Sequence, residues 1–586
     1  MKTFKYLLLS IALLGGLFSS CDFLEKEPTQ LTPEKYFNTP EEASSFLMGV
    51  YATLAHSSFY GGNYIWLAGG DDLSHYGGAG RNPMTSVICN QVTTSDTQIT
   101  GLWLNLYSGI NRANMFLEHI DQVPNMNQTL KQQYVAEARF LRAYYYFILV
   151  QNWGDVPFHA TSTQTVVGLD IPQTDRQELY DFIASEMDFA AENGLKSAAE
   201  LNYLPGRISQ STAWGILARV YLFRAGEHYR EKRVATEVET TTFFAEANKY
   251  AQKVMTKGGH DLVDLYGDFF IDLCSDQYNT KKKESIWEIE FAGNNTSDIK
   301  SGGPIGNLIG LGAPDLSNES YTGKEDPGFC YEYIFATPKL YDYYANNNDK
   351  ERFLWNIKSF SYQRVDNNHG ITGREFFNGR MSDYMAIYGD RGFSYGNSTQ
   401  KKEGDYEYVK YTTNSPYPDP EKAKGCAKWR REFEADKKSK GTTSINFPAL
   451  RYSDVLLMIS EAENEINEMP TTLAYDCLNR VRRRAGIVEV GNLSKDEFRE
   501  KVKQERAMEL CFEMTRRGDL IRWGEYVKNM NELVSRAQQG GDEGKEWPQG
   551  ITNVFTYFLI PNALNYFPIP EIERSVNKKI IQNPEW

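Results

Sequence analysis

The sequence lacks the motifs that indicate a catalytic metal or a nucleotide cofactor. It has seven cysteines and seven histidines in 586 residues, but no C-x-x-C and no H-E-x-x-H pattern. It also has no G-x-x-x-x-G-K-S/T pattern, which would indicate a phosphate-binding loop. We therefore expect no cofactor and assign no metal ligand. The cysteine spacing predicts no disulfide framework, and most cysteines after Cys21 are expected to be small buried residues.

Positive charge is also scarce. The chain has 63 Lys and Arg against 77 Asp and Glu, a formal net charge of −14, and its longest basic runs are the triplets at 281–283 and 482–484. Binding to nucleic acid depends on clustered Lys and Arg that neutralise phosphates. We therefore predict no nucleic-acid partner. Aromatic residues, in contrast, make up 13% of the chain, which is enough to supply stacking surfaces as well as a core.

The first 20 residues predict an export signal. Lys2 and Lys5 precede a largely apolar run over 6–17. This run is too short for a helix that crosses a bilayer, which needs about 20 residues, and it is typical of a secretory signal. The small residues before Cys21 resemble a bacterial lipobox, in which Cys21 becomes the acylated N-terminus. The alternative is a simple secretory signal in which Cys21 has no role.

Hydrophobic periodicity predicts a mostly α protein. In the segment that ends before Trp153, Ala136, Phe140, Ala143 and Phe147 form one apolar stripe and a second stripe runs beside it. A helix with two adjacent stripes is packed by neighbours on both sides. The same plan recurs over 211–223 and 449–466. Helix pairs of this kind are typical of a solenoid of the tetratricopeptide type.

The same periodicity divides the chain into five segments. We predict a signal peptide over 1–20, an acidic, proline-containing tether over 21–40, a helical scaffold over 41–257, an irregular insert over 258–444 and a second helical scaffold over 445–586. Within the insert, short alternating runs such as 285–290 predict strands. Loops on a rigid scaffold commonly carry function.

Several segments together resemble the SusD/RagB family of outer-membrane lipoproteins. They follow one another in order over nearly the whole chain, at 136–147, 153–157, 213–222, 450–462, 505–524, 567–571 and 582–584. The resemblance implies a fold of four tetratricopeptide-like helical pairs. It also implies a cell-surface binding role beside a TonB-dependent outer-membrane transporter of the SusC type, and no catalysis. The outer-membrane address agrees with the lipobox at Cys21.

Three carboxylates in these motifs invite an enzymatic interpretation. Glu505, Glu509 and Glu513 lie at i, i+4 and i+8 on one predicted helix. A glycosidase needs two carboxylates on either side of one bond, about 5–5.5 Å or 6.5–9.5 Å apart, whereas these three share one helix flank beside many arginines. We interpret them as structural ion pairs. We predict two further structural pairs, Asp454 with Arg451 and Glu137 with Arg142.

Two segments combine aromatic rings with polar side chains, as a sugar-binding surface requires. The first, over 59–97, supplies the candidates Tyr60, Tyr64, Trp66, Asp71, Asp72, His75, Tyr76 and Arg81. The second lies in the insert, where Phe329 and Tyr333 accompany the candidates Tyr321, Tyr331 and Tyr395. In the SusD-like family the ligand surface is built from an early loop and the variable insert, and both segments match by position. The alternative is that half or more of these rings belong to the core.

Three functional hypotheses remain at this stage. The first is a surface lipoprotein that binds an oligosaccharide or polysaccharide and serves a transporter. The second is the same architecture with a peptide or another nutrient as ligand. The third is an exported glycoside hydrolase, which is disfavoured because no separated carboxylate pair stands out.

Overall fold

The structure is a computed structural model of the 586-residue chain. It describes residues 37–62, 64–66, 70–76, 86–88, 90–163, 170–230, 236–292, 302–316, 326–364, 371–377, 380–389, 391, 425–434, 441–539, 565–584 and 586.

The described residues are mostly helical. The helices are α1 (Pro40–Tyr51), α2 (Thr97–His119), α3 (Gln128–Trp153), α4 (Arg176–Asn193), α5 (Gln210–Arg230), α6 (Glu237–Lys257), α7 (Tyr266–Cys274), α8 (Pro338–Asn347), α9 (Lys350–Asn356), α10 (Met381–Ile387), α11 (Tyr452–Ile466), α12 (Thr472–Arg484), α13 (Lys495–Leu510), α14 (Arg516–Arg522), α15 (Tyr526–Gln539) and α16 (Glu571–Val576). The strands are β1 (Ser74–Tyr76), β2 (Val156–Pro157), β3 (Gln173–Thr174), β4 (Ser285–Ile289), β5 (Ile334–Ala336), β6 (Phe360–Arg364), β7 (Ile371–Phe376) and β8 (Phe447–Arg451). They form four two-stranded antiparallel sheets.

The long helices stack one on the next, which confirms the predicted tetratricopeptide-like solenoid. Helices α2 to α6 pack in chain order, and α6 then packs on α11, which contacts α12 and α13. The predicted stripe of α3, from Ala136 to Phe147, is buried. Asn127 begins this helix by accepting a hydrogen bond from the Leu130 amide, and capping boxes begin α6 and α13. Side-chain caps of this kind satisfy amides that the first turn leaves unpaired.

Some helices approach so closely that only glycine fits between them. Gly226 of α5 lies against the backbone of α14, and a Cβ atom at this position would lie 2.4 Å from the Arg522 carbonyl oxygen. Gly49 of α1 is different, because a Cβ atom there would meet no atom within 4 Å. Gly226 is therefore a packing requirement, whereas Gly49 is not.

The segment between α6 and α11 is an insert in the solenoid, and its two ends pair with each other. Strand β4, near its beginning, pairs with β8, near its end, as Glu288 lies opposite Pro448 and Ile289 opposite Phe447. The prediction of a strand over 285–290 is confirmed by β4. The described part also contains the short helices α7 to α10, of seven to ten residues, which the pattern did not indicate. Conversely, the helix predicted from 449 begins only at Tyr452, because 447–451 form β8.

The C-terminal segment packs back onto the N-terminal scaffold. The Trp153 indole donates a hydrogen bond to the Pro568 carbonyl at 3.0 Å, and the Asn583 amide donates to the Trp153 carbonyl at 3.0 Å. The Phe567 amide donates to the Asn152 carbonyl at 2.7 Å. Two motif segments more than 400 residues apart in the chain therefore hold each other in place.

Glu505, Glu509 and Glu513 are buried in a network of ion pairs, which confirms their structural interpretation. The prediction that all three lie on one helix is wrong, because α13 ends at Leu510 and Glu513 lies in the turn after it. Glu509 contacts the guanidinium groups of Arg352, Arg451 and Arg484. Burial disfavours the ionised carboxylate, but these three cations outweigh that effect and hold the pKa of Glu509 well below its usual range. Glu505 and Glu513 pair with further buried cations, Arg482, Lys428 and Arg451.

The partners predicted for two other carboxylates are wrong. Asp454 pairs with Arg219 and Arg506, both at 2.7 Å, and not with Arg451, which belongs to β8 and points to Glu513. Glu137 pairs with Arg207 at 2.9 Å. Its predicted partner Arg142 lies five residues along the same helix, a spacing at which two side chains do not face each other, and it pairs with Glu186 instead. The side chains are structural as predicted, but long-range contacts choose the partners.

Candidate functional site

The two segments predicted to carry ligand-binding residues meet in one small sheet. Strand β1, from the early segment, pairs with β5, from the insert, so that His75 lies opposite Phe335 and Tyr76 opposite Ile334. Thr337 extends the contact, since its amide donates to the Leu73 carbonyl and its hydroxyl to the Asp72 carbonyl, both at 2.8 Å. Residues that are far apart in sequence therefore form a single structural unit.

Five rings cluster beside this sheet, and we call them the aromatic cluster. They are Trp66 and Tyr76 from the early segment and Phe329, Tyr331 and Tyr333 from the insert. The Trp66, Tyr76 and Tyr333 rings lie 5.7–6.0 Å apart between centroids. Tyr331 stacks on Tyr333 at 4.9 Å with an interplanar angle of 7°, and Phe329 meets Tyr331 edge-on at 4.5 Å.

The aromatic cluster runs from the core to the surface. Trp66 is 3% exposed and Tyr76 8% exposed, so these two rings form its base. Tyr333 is partly buried, whereas Tyr331 is 42% exposed. The stacked pair of Tyr331 on Tyr333 thus lies at the solvent-exposed end of the cluster, above the buried rings of Trp66 and Tyr76.

Asp72 does not face solvent but fastens the early segment to the rest of the molecule. Its carboxylate is fully buried and accepts hydrogen bonds from Arg516 of α14 at 2.7 and 2.9 Å and from Lys339 of α8 at 2.6 Å. Burial disfavours its ionised form, but the two cations outweigh this and lower the pKa of Asp72 to about 2. Asp72 was expected to bind ligand, and the structure corrects this to a supporting role.

Asp71 shapes the turn that leads into β1. One of its carboxylate oxygens accepts hydrogen bonds from the amides of Leu73 and Ser74 and from the Ser74 hydroxyl. Burial, together with the neighbouring negative charge of Asp72, raises the pKa of Asp71 to about 7. This side chain therefore supports the candidate site from inside the turn and offers no accessible carboxylate.

Three other candidates belong to the core. Tyr60 and Tyr64 are buried, and Tyr60 bonds to the Tyr144 hydroxyl while its ring stacks on Phe447 at 4.7 Å. The small cavity beside them, about 40 Å³, has no room for a sugar. His75 is fully buried, with its ring stacked on Phe335 at 5.8 Å. The expectation that these side chains face a ligand is corrected, because distant parts of the chain cover them.

The other predicted site residues, Cys21, Arg81, Tyr321 and Tyr395, lie outside the described residues. Among the residues that the structure does describe, no group of three or more His, Cys, Asp or Glu is placed to hold a metal ion. The five cysteines in that part of the chain are buried and form no disulfide, as expected for small buried residues.

Sequence reasoning did not find the residues that support the site. Arg516 and Lys339 fix Asp72 from two separate helices, and no local pattern in the sequence pairs either cation with this carboxylate. The sequence also gave no sign of the register between β1 and β5. Together, the observations define a class of protein: a tetratricopeptide-like helical scaffold with a large insert and an accessible aromatic surface where the two meet.

Comparison with known proteins places the chain within a family. The family model described as the SusD family matches residues 283–586, more than half of the chain, and one described as "Starch-binding associating with outer membrane" matches residues 22–222. The chain belongs to the SusD family.

Three relatives illustrate this similarity. "SusD-like protein P25" of Formosa agariphila is 24% identical, over 98% of this chain and 97% of the relative. The crystal structure of a SusD homolog from Bacteroides thetaiotaomicron VPI-5482 superimposes with a TM-score of 0.78 at 26% identity, over 95% of this chain and 99% of the other. A laminarin binding SusD-like protein superimposes with a TM-score of 0.63 at 20% identity, over 94% of this chain and all of the other. No helix within the described ranges is long and apolar enough to span a membrane.

Proposed function

We propose that this protein is a cell-surface glycan-binding lipoprotein that captures an oligosaccharide or polysaccharide and delivers it to a TonB-dependent outer-membrane transporter of the SusC type. The observation that carries the proposal is the solvent-facing aromatic pair of Tyr331 on Tyr333 at the junction of scaffold and insert. It binds the glycan and does not cleave it.

The chemistry of the aromatic cluster suits a sugar ligand. A sugar ring has an apolar C–H face and polar edges, so a receptor uses flat aromatic rings together with polar side chains. Tyr331 offers such a ring, and it stacks on the Tyr333 ring with an interplanar angle of 7°. The laminarin-binding neighbour and the starch-binding family description support a glycan over a peptide as the ligand class.

The support of the cluster favours binding without large rearrangement. The early segment is fixed by the ion pairs of Asp72 with Arg516 and Lys339, and by the pairing of β1 with β5. A surface that is ordered before the ligand arrives loses less conformational entropy on binding. A glycan that contacts only a small area of this surface can therefore still bind, because little of the binding free energy is lost in ordering the protein.

Membrane attachment and the partner complete the proposal. Acylation of Cys21 attaches the chain to the outer membrane, and more than one acyl chain gives a stable anchor. The part of the predicted tether that precedes the buried Phe37 and the start of α1 at Pro40 then allows the body to swing over the transporter. For ligand to promote closure, it must bind the closed arrangement more tightly than the open one, because equal affinity for both shifts nothing.

A glycan panel tests the ligand class. Purified protein is incubated with soluble glucans, xylans, mannans and fructans, and depletion of each glycan and release of shorter products are both measured. We expect depletion of at least one glycan without any product. Retention of no glycan would contradict the proposal, and product formation would support the hydrolase instead.

A pair of tyrosine variants tests the position of the site. Tyr331→Ala removes the exposed ring and should weaken binding of the retained glycan about tenfold, about 1.4 kcal/mol. Tyr229→Ala on α5 removes a tyrosine that is 45% exposed in the scaffold and should leave affinity unchanged. Equal affinities for both variants would exclude the aromatic cluster as the binding surface.

Co-purification tests the partner. We expect the membrane-attached protein to be isolated together with a TonB-dependent transporter, and Tyr331→Ala to leave that association intact. Loss of the transporter in this variant would mean that the aromatic cluster is a docking face and not a ligand face.

A further inference from the structure

We propose that this chain has a second carbohydrate site, a cavity of about 510 Å³ between α2, the segment after β2 and α16. The choice of ligand class rests on the proposed glycan-binding function, but the cavity is separate from the aromatic cluster. It shares no lining residue with the cluster and is built from other elements. We call it the α2–α16 cavity. Its volume is within the range of sites that enclose small ligands, so it suits a short stretch of a glycan.

The walls of the α2–α16 cavity combine an aromatic ring with aliphatic side chains. Leu104, Tyr107 and Asn111 lie at i, i+3 and i+7 on one face of α2, and Val576 of α16 stands among the other lining residues. Leu104 and Val576 are 48% and 72% exposed, respectively. Apolar side chains are thus open to solvent beside a partly buried tyrosine, which is the surface that the C–H face of a sugar requires.

The position of α16 is fixed, so the cavity is a built feature. The Trp103 indole of α2 donates a hydrogen bond to the Glu573 carboxylate at 3.3 Å. The Glu571 amide donates to the Thr94 carbonyl at 2.8 Å, and the Asn577 side chain donates to the Ile171 carbonyl at 2.8 Å. These contacts join α16 to the scaffold at both of its ends.

Polar groups with unused hydrogen-bonding capacity converge on the same cavity. Among the described residues, the second oxygen of Glu573, the side-chain amide nitrogen of Asn111 and both ring nitrogens of His159 have no hydrogen-bond partner. His159 is held in place by its ring, which meets Tyr107 edge-on at 5.6 Å. An acceptor, a donor and an imidazole around one apolar floor match the alternating hydroxyl groups of a sugar.

The charge of the lining selects among sugars. Glu573 and Asp170 are carboxylates, and no Lys or Arg occurs among the described residues that line the cavity. Burial lowers the pKa of His159, so its imidazole is neutral near neutral pH. A uronic acid or a sulfated sugar would meet these two carboxylates without a Lys or Arg among the described lining residues to pair with its own charge. The cavity therefore suits a neutral glycan.

Calorimetric titration tests the second site because it measures the number of glycan-binding sites on each protein chain. The probe is the neutral hexasaccharide of glucose, xylose or mannose that the wild-type protein binds most tightly. Leu104→Trp fills the cavity from an exposed position, and Val576→Trp fills it from the opposite wall. The matched control is Val488→Trp, which enlarges a side chain that is 81% exposed in the loop after α12. Thermal unfolding midpoints are compared first, so that folding defects are recognised.

We expect two binding sites in the wild type and in Val488→Trp, and one in each cavity-filling variant. Tyr331→Ala should keep the site that Leu104→Trp removes. A single site that is lost in Tyr331→Ala and unaffected by Leu104→Trp would overturn the second site while leaving the proposed function intact. Binding that only Leu104→Trp removes would support the cavity and overturn the aromatic cluster as the ligand surface. If Leu104→Trp keeps both sites but loses the transporter, the cavity is a docking surface and the inference is overturned.

Discussion

Arg516 and Asp72, 444 positions apart in sequence, form a fully buried two-point ion pair, with Nε and Nη2 of the arginine 2.7 and 2.9 Å from the two carboxylate oxygens. Lys339 reaches the same carboxylate at 2.6 Å. One side chain thus joins the early segment to helices from the C-terminal scaffold and from the insert. These contacts of Asp72 hold the early segment in place and thereby fix the position of the aromatic cluster.

Asp72→Asn should strongly destabilise the protein. The substitution leaves the Arg516 and Lys339 charges without a counter-charge, and breaking a buried pair in this way costs about 3–5 kcal/mol in the free energy of unfolding. Denaturant-induced unfolding measures it. The control is Asp383→Asn, which breaks an exposed pair with Lys350 and should change that free energy by no more than about 1 kcal/mol. Equal effects of the two substitutions would contradict a supporting role for Asp72.

The pH dependence of the same pair has a defined sign. The pKa of Asp72 is lowered to about 2 from an ordinary value of 3.8. Its contribution to stability is therefore complete above about pH 4 and is lost as the pH falls towards 2. The wild type should lose its stability advantage over Asp72→Asn in that interval. A constant difference between pH 5 and pH 2 would contradict the ion pair.

Asp71→Asn should stabilise the folded protein relative to the wild type as the pH rises. The pKa of Asp71 is raised to about 7, so the folded protein binds its proton more tightly than the unfolded chain does. Ionisation of this buried group therefore costs stability between about pH 4 and 7, by up to about 1.4 kcal/mol per pH unit. Asparagine keeps the acceptor oxygen for Leu73 and Ser74 but cannot ionise. Thermal unfolding should show the variant more stable than the wild type at pH 8 and close to it at pH 4; the reverse order would exclude the raised pKa.

Two glycine substitutions should have opposite effects. Gly226→Ala places a methyl group against the Arg522 carbonyl and forces α5 and α14 apart, which costs about 1–3 kcal/mol. Gly49→Ala adds a methyl group in open space within α1 and should stabilise the helix by about 0.5–1 kcal/mol. Chemical denaturation of both variants measures these changes in the free energy of unfolding. Stabilisation by Gly226→Ala would mean that the two helices are not in close contact.

Cys21→Ala should release the protein from the membrane. The substitution removes the only thiol that the lipobox-like sequence offers for acylation, and acyl chains of this kind are what would hold the protein at the bilayer surface. Detergent-phase partitioning and membrane fractionation measure the change. Cys89→Ala is the control and should fractionate as the wild type does. A Cys21→Ala variant that remains with the outer membrane would contradict lipid anchoring.

Local periodicity predicted the scaffold well because long helices carry their own signal. The stripe from Ala136 to Phe147 predicted a helix packed on two sides, and α3 has that environment. The predicted helix over 449–466 began too early because 447–451 pair with β4, a partner far away in sequence. Helices α7 to α10 were missed because two or three turns contain too few apolar repeats to stand out.

The site was predictable only in part, for the same physical reason. The sequence identified the two segments correctly as rich in rings, but it could not separate Tyr60, which packs on Phe447, from Tyr331, which faces solvent. Burial depends on contacts between distant segments, and these contacts leave no local pattern. Glu505, Glu509 and Glu513 were recognisable as paired from their arginine-rich surroundings, whereas the identity of each partner was not.

The pairing of β4 with β8 has a consequence for how such proteins diversify. Both ends of the insert are held together by the scaffold, whatever the length of chain between them. The entropy of closing a loop rises slowly with its length, by only about 0.6 kcal/mol for each doubling. Extra length in the loops between the two strands therefore burdens folding very little, provided that Lys339 and Arg352 keep their contacts with Asp72 and Glu509. Natural selection can change the length of these loops while the helices beneath them stay unchanged.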